Sequence, residues 1–474
     1  MLAAWAGWRS KLLLQMTNTG EPIALDELER LFGPLGAAPQ VRYGLAVSGG
    51  SDSTALMVLF ADWLASCSRD PGRHVVLTVD HGLRAASAAE AAAVAAQAAA
   101  LGFRHAILAW DGPKPPTGIQ AAARRARYGL MTRFMRANGV AALLTAHTRD
   151  DQAETLLMRL ARGSGVDGLM AMAPRTPFAE LEDADGLDAE AIQVLRPLLG
   201  VAKARLRATL VSRGIGWIED PSNQVPEFER TRLRAALPQL AEIGLTSDML
   251  ALSATRLRRA RAALADAADR FCALASGNLV AEPWGCIVIQ RARLRAAGEE
   301  IVLRVMAGAI AAAGGAGRPV PMAKLEPIVS ALLADETTGM LSWTLSRAII
   351  STGEGTVVIE REPGRVPPPR LSLAPGASVL WDGRFRVHIG SSLAARAVEV
   401  RPLGAEGFAD LRRRDGSVAA APARAAALVP SIWLDGELIA VPPLRYWAAA
   451  DLREHLRADF AGIRARDPGA PQPS

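Results

Sequence analysis

The sequence predicts an α/β architecture: an N-terminal parallel sheet with helices on both faces, followed by a mainly helical domain and a small β-rich α+β C-terminal domain. Three observations predict it. Short apolar runs alternate with helix-length segments from Tyr43 to about Trp217, which is the mark of βαβ units. The first run leads into a glycine-serine turn, Ser48-Gly49-Gly50-Ser51-Asp52-Ser53. The chain also has 474 residues, more than one ordinary core accommodates.

The expected strands are Gly44 to Val47, Val75 to Val79, His105 to Trp110, Ala142 to Ala146 and Gln193 to Leu195. Each of the first four is followed by a polar or glycine-containing turn and then a helical stretch, so the connections are crossovers. Ligands of such sheets bind beyond the carboxyl ends of the strands. That rule collects Ser48 to Ser53, Asp80 to Arg84, Asp111 to Gly118 and His147 to Asp151 on one rim. Pro174 to Ala191 reads as an acidic, irregular loop and Glu219 to Asn223 as a closing turn. From about Glu229 to Leu333 the pattern is largely helical, with strand-like runs near Leu341 to Ile350 and Val357 to Ile359. Pro363 to Pro369 is the clearest linker, short β-like runs follow it, and the tail after about Arg466 is Pro-rich. The expected division is an extension over 1–40, a catalytic domain over 41–224, a mainly helical domain over 225–362, a C-terminal domain over 370–460 and a flexible tail over 461–474.

In the Ser48–Ser53 turn, the two glycines permit positive φ and close approach of an anion. Backbone amides and the dipole of the following helix favour negative charge there, and three serines add hydroxyl donors. A plain helix cap is the competing reading, because Ser and Asp are good N-caps. Asp52 would repel a phosphate unless a cation lies between them, which points to Mg²⁺ bound together with a nucleotide. The turn lacks the lysine of G-x-x-x-x-G-K-[ST], so the Walker-type classes are disfavoured.

Further along the rim, Asp80 and His81 end the second strand, and Arg124 and Arg127 lie one helical turn apart after the third. At the fourth strand end, Asp151 and Glu154 are three apart on a helix and share a face, as would suit an ammonium group or a metal ion. An acidic first helical turn favoured by the dipole is the alternative.

Seven motifs in order now make a resemblance specific. They are Ser48 to Ser53, Val79 to Arg84, Gln120 to Tyr128, Thr145-Ala146-His147 with Asp150 to Thr155, Arg162 to Gly165, Arg196-Pro197-Leu198-Leu199 and Trp217 to Asn223. Over roughly residues 41 to 238 the chain resembles the tRNA(Ile)-lysidine synthases of the PP-loop pyrophosphatase superfamily. The resemblance implies a Rossmann-like PP-loop sheet and a two-step ligation. ATP adenylates the C2 oxygen of the wobble cytidine in the CAU anticodon of an isoleucine tRNA, and the ε-amine of free L-lysine then displaces AMP. It implies ATP contacts at Ser48, Gly49, Gly50, Ser51, Asp52, Ser53, Asp80, His81 and His147, Mg²⁺ on Asp52, and lysine on Asp151 and Glu154. Catalytic roles fall to Asp52, Arg127, Arg230 and Arg232. Two departures stand out. Thr148 occupies a place where the family often has a second histidine. Arg230-Thr231-Arg232-Leu233-Arg234 stands for the family's R-N-x-I-R, leaving open whether Arg230 or Arg232 reaches the site.

A net charge of +6 is compatible with a polyanionic partner, but lysine occurs only at Lys11, Lys114, Lys203 and Lys324, so the basicity follows an arginine-rich composition. Cys67, Cys272 and Cys286 form no C-x-x-C pair. That disfavours the rival tRNA thiolase, which needs sulfur-carrying cysteines or an iron-sulfur cluster. No glutaminase segment supports an amidotransferase-type ligase, and an ATP-gated RNA-binding protein without catalysis is the remaining rival. No secretory signal or membrane span is expected, a cytoplasmic location is, and Met16 is a candidate start. A dimer is one expectation for the assembly. The region after Phe228 is expected to read the tRNA body.

Overall fold

The computed structural model describes residues 20–35, 41–82, 87–111, 114–115, 117–178, 192–219, 229–273, 277–315, 319–334, 340–364, 367–391 and 397–462. The turn over 220–223 and the tail beyond 466 lie outside them, as do Leu83, Arg84 and most of the 174–191 loop. Contacts divide the chain into two compact units, Met1–Arg261 and Ala262–Ser474.

The first unit is built on a six-stranded sheet: β1 Tyr43–Ala46, β2 Val75–Asp80, β3 Arg104–Ala109, β4 Ala142–Leu144, β5 Arg175–Pro177 and β6 Gln193–Leu195. Their spatial order is β3-β2-β1-β4-β6-β5, and every pairing is parallel except β5 with β6. The five expected strands are present, within one to two residues at their ends. β5 was not expected: it is a three-residue antiparallel edge inside what reads as a loop, too short and too polar to carry a periodic signal.

Strand β1 lies at the centre, with β2 on one side and β4 on the other. The order reverses at this point, so the crevice beyond the ends of β1 and β4 is where an open α/β sheet takes its ligand. One face is covered by the Ser51–Ser66 helix, apolar almost all round, whose Leu56, Phe60, Trp63 and Leu64 pack with Phe32, Tyr43, Phe103, Leu206 and Leu210. The other face carries Tyr128, Met131 and Met135 of the Ile119–Ala137 helix against Val75, Leu77 and Val194. Burying both faces is what makes the strands read as continuous apolar runs.

Among the described residues the second unit holds three antiparallel sheets. A five-stranded one, Leu279–Ala281, Ile287–Gln290, Ser342–Leu345, Ala348–Thr352 and Thr356–Arg361, is covered by the Glu299–Gly314 and Met322–Leu333 helices. Five- and three-stranded sheets follow from Leu371 onwards. The strands Leu279–Ala281 and Ile287–Gln290 were not foreseen in the stretch that reads as helical. Asp382, 7% exposed, is bonded by Arg361 Nε at 3.1 Å, Arg384 Nε at 2.8 Å and Arg347 Nη2 at 2.9 Å. Three guanidinium partners make a carboxylate at that depth tolerable.

Gly49 fixes the turn after β1. Its φ is +86°, and a Cβ there would lie 2.5 Å from Ile218 Cδ1 and 3.1 Å from Val94 Cγ2. Its carbonyl accepts from Ile218 N at 2.8 Å and from Thr54 Oγ1 at 3.1 Å. We therefore expect Gly49→Ala to destabilise the chain by about 1–3 kcal/mol, the usual range for local backbone strain, and to weaken ATP binding. Thermal melts and calorimetric ATP titration check this, and wild-type values in both would contradict the role of the left-handed turn.

Candidate functional site

The site forms where three helices begin at the sheet's switch point. The turn after β1 enters the Ser51–Ser66 helix through Gly50. Ser53 Oγ donates to Gly50 O at 3.0 Å and accepts from Ser48 N at 3.2 Å, so the serine hydroxyls brace the turn. Asp52 stands in the first turn of the helix. Ser51 Oγ donates to its Oδ1 at 3.2 Å, and Lys203 Nζ lies 2.8 Å from its Oδ2.

The turn after β4 enters the Arg149–Leu160 helix through Thr148. Thr148 N and Oγ1 both donate to Asp151 Oδ2, at 2.8 and 2.9 Å, while Asp151 N donates back to Thr148 Oγ1 at 3.4 Å. This capping box accounts for threonine at the departure noted in the sequence: it satisfies orphan amides and fixes the Asp151 rotamer. One Asp151 oxygen thus serves the cap of its own helix. The other, Oδ1, lies 3.8 Å from Arg234 Nη2.

Glu154 is 2% exposed. Arg234 Nε lies 2.5 Å from its Oε1 and Nη2 3.1 Å from its Oε2, a two-pronged pairing, and the same Nη2 lies 3.8 Å from Asp151 Oδ1. Burial raises the Glu154 carboxyl above its ordinary value, with Arg234 working against that. Asp150 serves a third junction: its Oδ2 accepts from Lys203 N at 2.8 Å, capping the Lys203–Ser212 helix, whose N-cap residue Ala202 has no side-chain acceptor.

The remaining residues take several places. Asp80 Oδ1 accepts from Gly82 N at 2.8 Å, and that bond foremost holds its carboxyl below the usual range. His81 meets Trp110 edge-on at 5.9 Å, its Nδ1 is buried without a hydrogen-bond partner among the described residues, and burial, then the Arg127 charge, lowers its pKa. Arg124 and Arg127 lie 5.1 and 5.4 Å from the Tyr128 ring, and burial, with Arg124 and Arg230 nearby, lowers the Arg127 pKa. His147 Nδ1 lies 3.0 Å from Thr145 Oγ1. Arg230 and Arg234 are one turn apart on the Glu229–Glu242 helix and share a face; Arg232, two residues along, lies on another, and Arg230 and Arg232 are both exposed. The charges act on one another: Arg230 bears on Arg127, His147 and Glu154, and Asp52 and Asp151 bear on Arg234, so these residues gather at the ends of β1 and β4.

Two contacts escaped the sequence reading. Arg234 is the last residue of the R-N-x-I-R element, and its spacing of four from Arg230 was the available signal. Lys203 was signalled by being a lysine in a chain whose basic residues are nearly all arginine.

Among the described residues no group of three or more His, Cys, Asp or Glu is placed to hold a metal ion. Mg²⁺ is commonly held by one or two carboxylates together with substrate phosphates, so Asp52 fits an ion that arrives with a nucleotide. It would do so by exchange, since both carboxylate oxygens already have partners.

Comparison with known proteins meets this geometry. A PP-loop domain family model matches residues 22–241. A tRNA(Ile)-lysidine synthase of Bradyrhizobium diazoefficiens is 44% identical over 364 residues, covering 73% of this chain and 97% of that protein. The chain belongs to the tRNA(Ile)-lysidine synthase family. Another tRNA(Ile)-lysidine synthase, from Methylobacterium nodulans, is 45% identical and covers 74% of this chain and 99% of its own. That of Ruegeria pomeroyi is 38% identical over 426 residues, 88% of this chain and 92% of its own. The family's likeness to this chain thus reaches beyond the first unit. Among the described residues no helix is long and apolar enough to cross a membrane.

His147 gives the site a pH signature. Burial foremost pushes its pKa down to about 4 from an ordinary 6.5, with Arg196, Arg124 and Arg230 adding to the effect and Asp151 opposing it. Below pH 6.5 the unfolded chain takes up a proton that the folded site refuses until about pH 4. The stabilisation is therefore complete above 6.5 and is lost as pH falls through that window. His74, also pushed to about 4 and accepting from Tyr43 N through Nδ1 at 3.2 Å, acts in the same direction. Denaturant titrations at pH 7.5 and 4.5 should show a smaller loss of unfolding free energy in His147→Gln than in the wild type. An equal loss would contradict a neutral, half-buried His147.

Proposed function

We propose that this chain carries out its family's reaction, ATP-dependent ligation of lysine to C2 of the wobble cytidine in tRNA(Ile), with a phosphate half-site at Ser48–Ser53 and a lysine half-site at Asp151 and Glu154. The observation that carries this is the charge balance beside Glu154. Asp151, Glu154 and Arg234 sum to −1 and face one crevice with the nucleotide turn. Free lysine, with two ammonium groups and one carboxylate, carries +1. Arg234 already holds both Glu154 oxygens, so Asp151 Oδ1, 3.8 Å from Arg234 Nη2, is the more open acceptor for a substrate ammonium. Arg234 can meanwhile face the substrate carboxylate, where a guanidinium binds well.

The other half-site is electropositive. The Arg124 and Arg230 charges bear on both Arg127 and His147, and an anion between such groups relieves their mutual repulsion. In this reading Arg127 and Arg230 face the α-phosphate and the activated cytidine. Ser48, Ser51, Ser53 and the glycine amides cradle the phosphates, and neutral His147 lends a hydrogen bond without adding charge. Asp80 and His81 border the nucleotide. The Arg230 charge bears on Arg127, His147 and Glu154, so of the two arginines left open by the sequence Arg230 is the one assigned to the site, with Arg234 added. When bound with ATP, Mg²⁺ on Asp52 would offset the charge of the leaving pyrophosphate. Adenylation makes the C2 oxygen a leaving group; the lysine ε-ammonium, held by the carboxylates, gives up a proton to Asp151, the freed amine forms the C–N bond at C2, and the C2–O bond breaks as AMP departs with the electron pair. Discrimination among tRNAs is assigned to the chain beyond Phe228, because the rim is taken up by ATP and lysine.

Asp151→Asn and Glu154→Gln test the lysine half-site. Each should raise the lysine KM by about tenfold or more, equivalent to ~1.4 kcal/mol, with the ATP KM little changed, in assays of lysine incorporation into a tRNA(Ile) transcript. Wild-type lysine KM in both variants would overturn the assignment.

A further inference from the structure

Lys203 runs against local preference. It occupies the first position of the Lys203–Ser212 helix, where the dipole disfavours a cation. It is also one of four lysines against fifty arginines. Its main chain is fixed by Asp150 Oδ2 on Lys203 N, 2.8 Å, and its side chain reaches across 151 residues of sequence to Asp52 Oδ2, 2.8 Å. An ion pair whose partners are 33% and 20% exposed adds little stability, so stability is a poor reason for placing a lysine there. Position is a better one. Asp52 is the one acid in a turn built for phosphate, and Lys203 is the cation beside it. A lysine differs from an arginine in being a compact point charge on a flexible stem, able to change partners.

We infer that Lys203 is the counter-cation of the phosphate turn. Without a metal ion its ammonium neutralises Asp52, so that a nucleoside triphosphate can enter; when Mg²⁺ takes over Asp52, the ammonium turns to the phosphates. Lys203 is thus a positioning residue for the triphosphate. The inference rests on the nucleotide reading of Ser48–Ser53 given above.

The test is calorimetric ATP binding to the full chain in Mg²⁺ and in EDTA, for wild type, Lys203→Met, Lys203→Arg and Asp52→Asn. In Lys203→Met a bare Asp52 faces the phosphates once Mg²⁺ is removed, so the ratio of the Kd in EDTA to the Kd in Mg²⁺ should rise about tenfold over wild type. Lys203→Arg should keep that ratio within about threefold. Asp52→Asn should lower it, since no carboxylate remains to be neutralised. A purely structural ion pair would weaken both affinities alike, so an unchanged ratio in Lys203→Met overturns the inference while leaving the nucleotide site standing. Should wild type bind no ATP in either condition, the nucleotide reading and this inference fail together.

Discussion

A carboxylate with almost no exposed surface needs a cation in contact with it, and Glu154 sets that requirement for the whole site. Its partner comes from eighty residues further along the chain, on the Glu229–Glu242 helix. The pairing draws that helix against the helix that begins at Thr148, and the shared face then sets Arg230 in the same crevice. Burying Glu154 without Arg234 would leave an uncompensated charge, which costs several kcal/mol. The closing of the first unit and the assembly of the proposed lysine half-site are therefore one physical event.

The same logic runs through the other junctions. Three helix starts meet at the switch point, and each needs acceptors for its free amides. Thr148 serves its own helix with Asp151, Asp150 serves the helix beginning at Lys203, and Ser53 braces the turn before the first. Side chains that cap helices here also present charge to the crevice. Asp151 shows how one residue does both in the proposed site, spending Oδ2 on the cap and leaving Oδ1 to the substrate ammonium.

Most of the sheet was legible in the sequence, because buried parallel strands and their crossover helices leave long apolar patterns. Leu45, Leu77 and Leu144 sit where the alternation of apolar runs and helices places them. Arg175–Pro177 left no such pattern, being three residues on an edge, and Leu279–Ala281 and Ile287–Gln290 were obscured by helices on either side. In the site, residues belonging to one motif were visible: Asp52, Asp151 and Glu154 stand on local spacing. What local spacing does not carry is pairing at a distance. Lys203 on Asp52 and Arg234 on Glu154 join segments 151 and 80 residues apart, and choosing among Arg230, Arg232 and Arg234 required knowing which face of their helix meets Glu154.

The claim that joins these observations is that one crevice activates a cytidine with ATP and hands it to lysine. Mass spectrometry of the wobble nucleoside, after incubating the full chain with ATP, isotopically labelled lysine and a tRNA(Ile) transcript carrying CAU, tests it most directly. The account predicts a cytidine heavier by one labelled lysine residue, formed only when both ATP and lysine are present. An unmodified cytidine under those conditions, with the tRNA bound and ATP intact, would contradict it.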